Sequence, residues 1–502
     1  PNRLLRDLEC QFGKESTIIQ INIMGINNTL HPYLYFWVCS LAAVPSLAVA
    51  SDRPNIILIN IDDLGWTDMS NNGSQYYETP NIDRLREKGI WMNEAYAGAA
   101  NSAPSRACLL TGRYTPRHGI YTVGEPNRGD ASKRKLVAIP NRTSLEPGIR
   151  LLPEVLKDSG YQTCHIGKWH VTENPLLNGV DINIAGNHAG HPKSYFSPYY
   201  NEDLTDGPEG EYLMDRLGLE AVDYLRKVDK SKPFFLYYAT YAVHTPLQAK
   251  ADLIDKYRKK PSTSAHDNPV YAAMVENMDW NIGRVLDEVQ ALGIEENTFI
   301  VFTSDNGGVY GISRQWPLRA GKGSFYEGGI RIPMVIYQKG KYEKREICNI
   351  PVMQLDLFPT FLEIAGVRQS DLLLDGVSLL PLLAGNETGF KGRPLFWHFP
   401  AYLEGNEKET VETGNDGFRT RPVSVIRVDD WKLIENYETG NVELYNVRTD
   451  VSEKENLALL NKDKRDELFD WLQVWKQKVE APIPTMLNPE YECSFLETKF
   501  AE

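Results

Sequence analysis

The sequence that decides the fold is Asn55-Ile-Ile-Leu-Ile-Asn-Ile61, which runs directly into Asp62-Asp63-Leu-Gly65. A continuous apolar run rich in isoleucine is typical of a strand buried on both faces of a parallel sheet. In open α/β sheets, ligands bind outside the carboxyl ends of such strands. Adjacent carboxylates at that edge are costly to bury without a partner. The stretch therefore predicts a metal site, with a solvated turn as the alternative.

Two later apolar runs also end in polar residues. Residues 233–244 predict a second buried strand that delivers His244, and residues 299–304 predict a third that ends in Asp305-Asn306. Because parallel strands end at one edge of a sheet, four oxygen donors are expected to converge on one cation: Asp62, Asp63, Asp305 and Asn306. Oxygen ligands without thiolate suit Ca²⁺, with Mg²⁺ as the less favoured alternative.

A small hydroxyl residue lies at the predicted start of a helix in Asn101-Ser-Ala-Pro-Ser-Arg-Ala-Cys-Leu-Leu-Thr-Gly112. Pro104 favours a first helical turn, and Gly112 favours the helix end. The free N–H groups and positive dipole of a helix N-terminus attract anions. The stretch predicts Ser102 as a nucleophile beside an anion site, and an ordinary Ser-capped helix is the alternative.

Basic residues follow in two further motifs. Lys168 and His170 lie two apart in Gly-Lys-Trp-His, so they point the same way if the segment is extended. Lys322 stands between glycines in Ala-Gly-Lys-Gly-Ser, where a solvated turn lysine is the alternative. Residues 181–212 form a long loop rich in Gly, Pro, Asn and Tyr, and a loop of this length in a compact domain is usually functional.

The composition is that of a globular enzyme, with 502 residues, 42% hydrophobic and 24% charged. The net charge of −13 argues against a nucleic-acid partner. Residues 1–50 are interpreted as an upstream extension and a signal peptide, because an apolar run ends in Ala48-Val49-Ala50. The run is short and interrupted for a stable membrane span. These features predict a periplasmic or secreted protein, with an uncleaved anchor as the alternative.

A change of composition between Gly385 and Arg393 predicts a domain boundary. Residues 51–390 would form the catalytic domain. Residues 391–502 would form a smaller one with short antiparallel strands and a last helix over residues 462–479. The four cysteines beyond residue 50 have no CxxC spacing, which argues against zinc and leaves one or two disulfides possible: Cys108, Cys164, Cys348 and Cys493.

Taken in order, these motifs resemble those of the type I sulfatases. The resemblance rests on Ser102-Ala-Pro-Ser-Arg with Leu-Thr-Gly-Arg113, on Gly160-Tyr161 through His170, and on the Asp-Asp, His-Thr-Pro, Asp-Asn-Gly and Gly-Lys elements. It implies an alkaline-phosphatase-like α/β fold. A large, mixed, mostly parallel sheet would be sandwiched by helices, with a small C-terminal antiparallel sheet and a helix.

The resemblance also implies roles for individual residues. A maturation enzyme would oxidise Ser102 to formylglycine, whose hydrate attacks sulfur, and an oxygen of the modified residue would join the four predicted donors on Ca²⁺. Arg106 would stabilise the hydrate, and His170 would help regenerate the aldehyde. The sulfate and the leaving oxygen would be held by Lys168, His244 and Lys322. A sugar alkoxide is a poor leaving group, so a general acid is expected, with His244 as first choice and Lys322 as second.

One position departs from most eukaryotic members of the family, which have cysteine where this chain has Ser102. Serine is the form matured by a bacterial radical-type enzyme, so it favours a bacterial source. An engineered replacement of cysteine is the alternative.

The long loop, the aromatic content and the export signal favour a sulfated carbohydrate as substrate, either a galactose-type polysaccharide or a glycosaminoglycan. Five residues are candidate sugar contacts, each with packing or surface placement as the alternative: Asn187, His188, Arg319, His398 and Arg419. Two other functions stay open. One is a phosphomonoesterase or phosphodiesterase of the same superfold that uses Ser102 directly, and the other is a catalytically dead binder of sulfated glycans.

Overall fold

The computed structural model describes residues 53–368 and 371–492. The signal-peptide prediction for residues 1–50 lies outside them, as does Cys493. In chain order the strands are β1 (Asn55–Ile61), β2 (Ile90–Met92), β3 (Ala95–Tyr96), β4 (Gln162–Gly167), β5 (Ile182–Ile184), β6 (Phe234–Ala239), β7 (Thr298–Ser304), β8 (Arg331–Ile332), β9 (Met334–Tyr337), β10 (Glu346–Cys348), β11 (Val352–Met353), β12 (Pro394–Phe399), β13 (Leu403–Glu404), β14 (Phe418–Thr420), β15 (Val423–Val428), β16 (Trp431–Asn436) and β17 (Val442–Asn446).

The helices are α1 (Pro80–Lys88), α2 (Ser102–Thr111), α3 (Thr115–His118), α4 (Leu152–Asp158), α5 (Leu213–Lys227), α6 (Ala251–Lys259), α7 (Pro269–Ala291), α8 (Glu327–Ile330), α9 (Leu357–Ile364), α10 (Leu380–Leu383), α11 (Glu407–Thr410) and α12 (Lys462–Lys478). Among the helices of these described ranges, none is long and apolar enough to span a membrane.

An eight-stranded sheet dominates the structure, with the strand order β10-β2-β9-β7-β1-β6-β4-β5. Strand β9 pairs antiparallel with both of its neighbours, and every other pairing in the sheet is parallel. The three strands predicted from apolar runs, β1, β6 and β7, lie side by side in its centre. This architecture confirms the predicted mixed, mostly parallel α/β fold.

The apolar run of β1 is continuous because both faces of the sheet are covered. Ile56 and Leu58 pack into one core with α2, α4 and α9. Ile57, Ile59 and Ile61 pack into a second core with α1, α5 and α7. Side chains of a strand alternate between the two faces, so a strand sandwiched between helix layers needs apolar residues at every position.

A separate antiparallel sheet follows, with the strand order β12-β15-β16-β17, and α12 packs against it through Leu468, Leu472 and Trp475. The three predicted strands near residues 423, 431 and 442 are therefore confirmed, as is the last helix. Residues 400–422 leave this sheet after Phe399 and return at Val423, which pairs with it. We call these residues the wall segment. The exact domain boundary near residue 390 stays a prediction.

The possibility of disulfides finds no support among the cysteines that the structure describes. Cys108, Cys164 and Cys348 all carry free thiols. Burial raises the pKa of the Cys108 and Cys164 thiols, so both are held in the neutral form.

Candidate active site

Four neighbouring strands of the large sheet end at one edge, and each is followed by predicted site residues. Asp62 and Asp63 come directly after β1, and Asp305 and Asn306 directly after β7. Lys168 follows β4, and His244 lies five residues beyond the end of β6. Since these strands are parallel, the fold gathers residues from four distant parts of the chain into one place.

Three carboxylates meet at this edge. Each of Asp62, Asp63 and Asp305 is buried and offers an oxygen, and these oxygens lie within 4.8 Å of one another. Asn306 joins them, because its Nδ2 donates to Asp63 Oδ1 at 2.8 Å. The Ser102 hydroxyl donates to Asp62 Oδ1 at 3.1 Å and to Asn306 Oδ1 at 3.2 Å. This oxygen-only donor set can hold a divalent cation.

Each carboxylate has one basic partner. Lys168 Nζ lies 2.7 Å from Asp62 Oδ2, with both side chains fully buried. Arg106 Nε lies 2.8 Å from Asp305 Oδ2 and is equally buried. Lys322 Nζ lies 2.7 Å from one oxygen of Asp63 and 2.8 Å from the other. We call these three acids and three bases the site cluster.

Burial and neighbouring charges shift the pKa values of the groups in the site cluster. Burial raises the pKa of Asp62 to about 7, although Lys168 opposes the shift. Burial acts on Asp63 too, but Lys322, His244 and Lys168 together bring the pKa of that carboxyl below its ordinary value. Burial likewise lowers the pKa of the Lys168 ammonium. Arg106 Nη2 is buried without a hydrogen-bond partner among the described residues. A cation among the acids would offset the cost of ionising Asp62 and release the bases toward an anion.

Helix α2 begins at Ser102 itself, two residues earlier than a start at Pro104 would place it, and it is capped by Gly112 as predicted. Gly112 takes a left-handed φ of 66°, and its N–H donates to Cys108 O at 2.9 Å. Ser102 is 1% exposed, so the residue lies at the helix N-terminus beneath the surface. The unsatisfied N–H groups and positive end of α2 therefore face the site cluster.

Lys168 and His170 both reach the site, but not from an extended segment. Strand β4 ends at Gly167, and His170 takes a left-handed φ of 66°. Its backbone N–H donates to Asn187 O at 3.0 Å, and its buried Nδ1 has no partner in the part of the chain described. Burial holds the pKa of His170 well below its ordinary value, so the ring is neutral.

His244 is fixed by its backbone neighbour. Its Nδ1 donates to Thr245 O at 2.8 Å, which directs Nε2 toward Asp63 Oδ2, 3.7 Å away. Burial and the Lys322 charge lower the pKa of His244 to about 3 in this arrangement. A bound anion would raise that pKa, because it would favour the charged ring.

A cavity of about 310 Å³ lies directly over Ser102. Half of its lining residues surround the site: Asn101, Ser102, Lys168, His170, His244 and Lys322. The others come from the long loop (Gly190 and His191), from the wall segment (Leu403 and Arg419) and from an irregular segment of the chain (Val123 and Arg128). The wall segment packs tightly on the Lys322 loop. A Cβ on Gly323, whose φ is +89°, would lie 2.6 Å from Leu403 and 2.8 Å from Arg419.

The five predicted sugar contacts separate in the structure. Arg419 lines the cavity, where Glu409 holds its guanidinium through two hydrogen bonds. Asn187 supports the long loop, since its side chain donates to Asp203 and accepts from the Ala189 N–H. The His188 ring lies 6.0 Å from that of His170, which lines the cavity.

Arg319 and His398 do not line this cavity, and the burial of His398 argues against a sugar contact there. His398 is 1% exposed, and its ring is bonded to Ser424 Oγ and Pro482 O within the core of the second sheet. Arg319 is held by other groups. Its guanidinium donates to Glu412 O and Glu453 O and lies 3.7 Å from the Tyr326 ring centre.

Two further cavity residues have no role assigned from the sequence, although His191 lies in the long loop expected to contact sugar. Arg128 lies in an irregular segment and is held by Glu404, 2.6 Å away. His191 packs its ring 5.8 Å from His244. No strand or helix periodicity marks either residue, so the only available signal was the length of the loop that contains His191.

The fold and the cavity together define a hydrolase of anionic esters with the alkaline-phosphatase-like architecture. The chain belongs to the sulfatase family and is a sulfuric ester hydrolase: the family described as "Sulfatase" matches residues 54–367. A second family, "N-sulphoglucosamine sulphohydrolase, C-terminal", matches residues 321–480.

Individual relatives agree with this assignment. A protein named "Sulfatase" from Formosa agariphila is 32% identical over 86% of this chain and 90% of its own. The N-acetylgalactosamine-6-sulfatase of Homo sapiens is 32% identical over 70% of this chain and 69% of its own. The crystal structure of Ps i-CgsB in complex with k-i-k-neocarrahexaose has a TM-score of 0.70 at 30% identity, covering 89% of this chain and 96% of that one.

Proposed function

We propose that this sulfatase hydrolyses sulfate monoesters on a sulfated carbohydrate, using formylglycine formed from Ser102 and a Ca²⁺ ion. One observation carries the proposal. The Ser102 side chain contacts an oxygen-only acidic cluster, and two of the bases paired with that cluster, Lys168 and Lys322, line the cavity over Ser102. Hydrolysis of an ester anion needs a nucleophile, positive charge near the ester oxygens and a proton for the leaving group.

The residues present fit Ca²⁺. The donors are three carboxylates and an amide, none of them a thiolate or imidazole, and Asp62 is costly to ionise while no cation is beside it. We assign Asp62, Asp63, Asp305 and Asn306 to hold the ion. When bound, it supplies a Lewis acid that polarises the ester and orients the nucleophile.

Ser102 needs modification to act. Its hydroxyl donates to Asp62 and Asn306, and among the described residues no histidine forms a hydrogen bond with it that could activate it. Oxidation to formylglycine supplies a hydrated aldehyde with two hydroxyls in place of one. Because residue 102 is 1% exposed, a maturation enzyme has to reach it before the fold closes over it.

The basic residues divide the remaining tasks. Lys168 and Lys322 are fixed beside Asp62 and Asp63, and with a cation held by those carboxylates their ammonium groups would be available to the sulfate oxygens. Arg106 keeps Nη2 free for the modified residue. His244, with Nε2 directed into the cavity, is assigned to protonate the leaving alkoxide, with Lys322 as the second candidate. His170, whose Nδ1 is free, is assigned to regenerate the aldehyde.

The substrate class rests on the relatives. One is named an N-acetylgalactosamine-6-sulfatase and another was crystallised with a neocarrahexaose. We therefore assign a galactose-type sulfated polysaccharide or a glycosaminoglycan to this chain, and a periplasmic or secreted location. Arg419 and His188 remain the sugar-contact candidates of the catalytic cavity.

The test begins with maturation. Protein coexpressed with a serine-type maturation enzyme is expected to lose two hydrogens at residue 102 by peptide mass spectrometry. It should then release sulfate from defined sulfated oligosaccharides, measured by ion chromatography, and Ser102→Ala is the matched control. Release of phosphate from phosphate esters without release of sulfate would favour a phosphatase instead. Tight glycan binding by fully matured protein, with no sulfate released, would favour a binder.

A two-metal phosphatase mechanism has little support in the described residues. Among the residues that the structure describes, the acids Asp62, Asp63 and Asp305 form the one group able to hold a metal through three side chains. A two-metal phosphatase would need a second such group a few ångströms away, about 4 Å in typical two-metal sites.

A further inference from the structure

The cavity over Ser102 is the inner end of a longer groove. It shares His244, Lys322 and Arg419 with an adjoining cleft of about 790 Å³. That cleft shares Gly311 and Lys408 with a third cavity of about 350 Å³. The third shares Tyr310 and Arg314 with a fourth of about 400 Å³. Pockets of roughly 300–1,000 Å³ each hold one compact ligand, so this series far exceeds the needs of one sugar.

The outer end of the groove has a distinct composition. Trp316 lines it and is 72% exposed, and Arg314 and Lys454 beside it are also exposed. Arg319 lines the same cavity, and Glu412 is its one carboxylate, so cations are in excess there. A flat aromatic face flanked by cations suits a sugar ring that carries anionic groups, because the ring packs on the indole while its charges meet the cations.

Trp316 has an exposed ring on an anchored backbone. Its neighbour Gln315 is fully buried and bonded to Thr67 and Asp68, and Pro317 O accepts from Ser452 Oγ at 2.6 Å. Within residues 53–368 and 371–492, no ring or cation packs against the indole. Trp280, which is 50% exposed on α7, differs because Arg284 lies over its ring. The backbone at Trp316 is thus fixed, while one face of its indole ring is open to solvent.

We propose that the groove binds a sulfated polysaccharide along its length, with a sugar unit remote from the reactive ester stacked on Trp316 between Arg314 and Lys454. The inference rests on the proposed function, since it places the reactive ester in the cavity over Ser102. The enzyme then prefers chains of several sugar units to single sugars. Arg319, which does not reach the catalytic cavity, lines this outer subsite.

Binding is measured first without turnover. In Ser102→Ala protein, affinity electrophoresis through gels containing carrageenan or chondroitin sulfate should show retardation by at least one polymer, and the two gels distinguish the galactan from the glycosaminoglycan. Adding Trp316→Ala should weaken the apparent affinity roughly ten-fold, while Trp316→Phe should retain most of it. Trp280→Ala is the matched control on another face. Two results would overturn the proposal. One is equal retardation of the Trp316→Ala and Trp280→Ala proteins, and the other is a Ser102→Ala protein that neither polymer retards.

Turnover gives a second readout. In matured protein, Trp316→Ala should lower the ratio of kcat/KM for the polymer to kcat/KM for its disaccharide roughly ten-fold, mainly through KM for the polymer. An unchanged ratio would contradict the proposal. If the matured wild type releases no sulfate from polymer or disaccharide, the proposed function fails, whereas the electrophoresis still decides whether the groove binds the chain.

Discussion

Two largely buried charge clusters in the described part of the chain have equal numbers of acids and bases, and they behave differently. The site cluster has three carboxylates and three bases at the edge of the large sheet. A second cluster, the seam cluster, joins residues around β8 and α8 to the second sheet and also has three acids and three bases: Glu94, Glu327, Glu453, Arg331, Arg427 and Lys432. Burial raises a carboxyl pKa to about 7 in both, at Asp62 and at Glu453.

The two clusters differ in what they face. Lys432 lies between Glu327, 3.1 Å away, and Glu453, 2.8 Å away, and lines none of the cavities described above. The bases of the site cluster each meet one carboxylate, and two of them line a cavity. Buried charge and a perturbed pKa thus do not identify a functional site by themselves. The opening to a cavity, with groups left free for a ligand, makes the distinction.

Replacement of Lys168 in the site cluster should give the largest loss of activity. We expect Lys168→Met to lower kcat/KM for sulfate release on the order of 10³-fold, because a buried positive charge beside the ester is lost. Thermal stability in Ca²⁺ should change little, since the ion remains beside Asp62. Steady-state kinetics and thermal unfolding on the same preparation check both statements. Near-normal turnover would remove Lys168 from the catalytic machinery.

The matched change in the seam cluster is expected to do the reverse. Lys432→Met replaces another fully buried lysine and leaves two buried carboxylates without their shared partner. Such losses cost about 3 kcal/mol or more, so the unfolding temperature should fall clearly. At temperatures where the variant is folded, kcat/KM should stay within a few-fold of wild type. A stable but inactive Lys432→Met protein would abolish the contrast between the clusters.

Calcium should stabilise the protein through the site cluster and not through the seam cluster, by a smaller amount that depends on pH. Asp62 ionises near 3.8 in an unfolded chain and near 7 in the folded protein without a cation. The folded state therefore holds the extra proton in that window, and the contribution of Asp62 to stability falls as pH rises through it. Ca²⁺ at a hundred times its Kd stabilises the protein by about 2.7 kcal/mol. At one fixed Ca²⁺ concentration the stabilisation should be larger at pH 7.5 than at pH 5, because the proton on Asp62 raises the Kd for Ca²⁺ at the lower pH.

Thermal unfolding in EDTA and in Ca²⁺ at both pH values measures this difference. Asp305→Asn should reduce the calcium shift, whereas Glu453→Gln should leave it unchanged, because Glu453 belongs to the seam. Equal calcium shifts at pH 5 and pH 7.5 would show that Asp62 does not take part.

The parts of the site predicted from sequence are those written into local patterns. The apolar runs of β1, β6 and β7 and the polar residues after them need only the period of a strand and the rule that parallel strands end together. The backbone conformation of His170 could not be predicted from the sequence, because its left-handed φ depends on contact with the long loop. His398 was misjudged because a histidine in a strand looks the same whether that face is covered or open.

The seam cluster and the groove were invisible in the sequence for a different reason. Both arise where segments far apart in the chain meet, and the residues concerned are ordinary glutamates, lysines and arginines. Short strands such as β13 and β14 carry too few residues to show a period. Their pairing, which shapes the wall of the cavity, depends on tertiary contacts alone.

The wall segment leaves and re-enters its sheet at Phe399 and Val423, residues that face each other across one strand pair. A chain that departs and returns at the same spot can be lengthened, shortened or exchanged with little strain on the strands that carry it. Lys168 and Ser102, on the opposite side of the cavity, would keep their places. In evolution or in the laboratory, changes confined to the wall segment could therefore alter which glycan the enzyme prefers, while the residues around Ser102 stay the same.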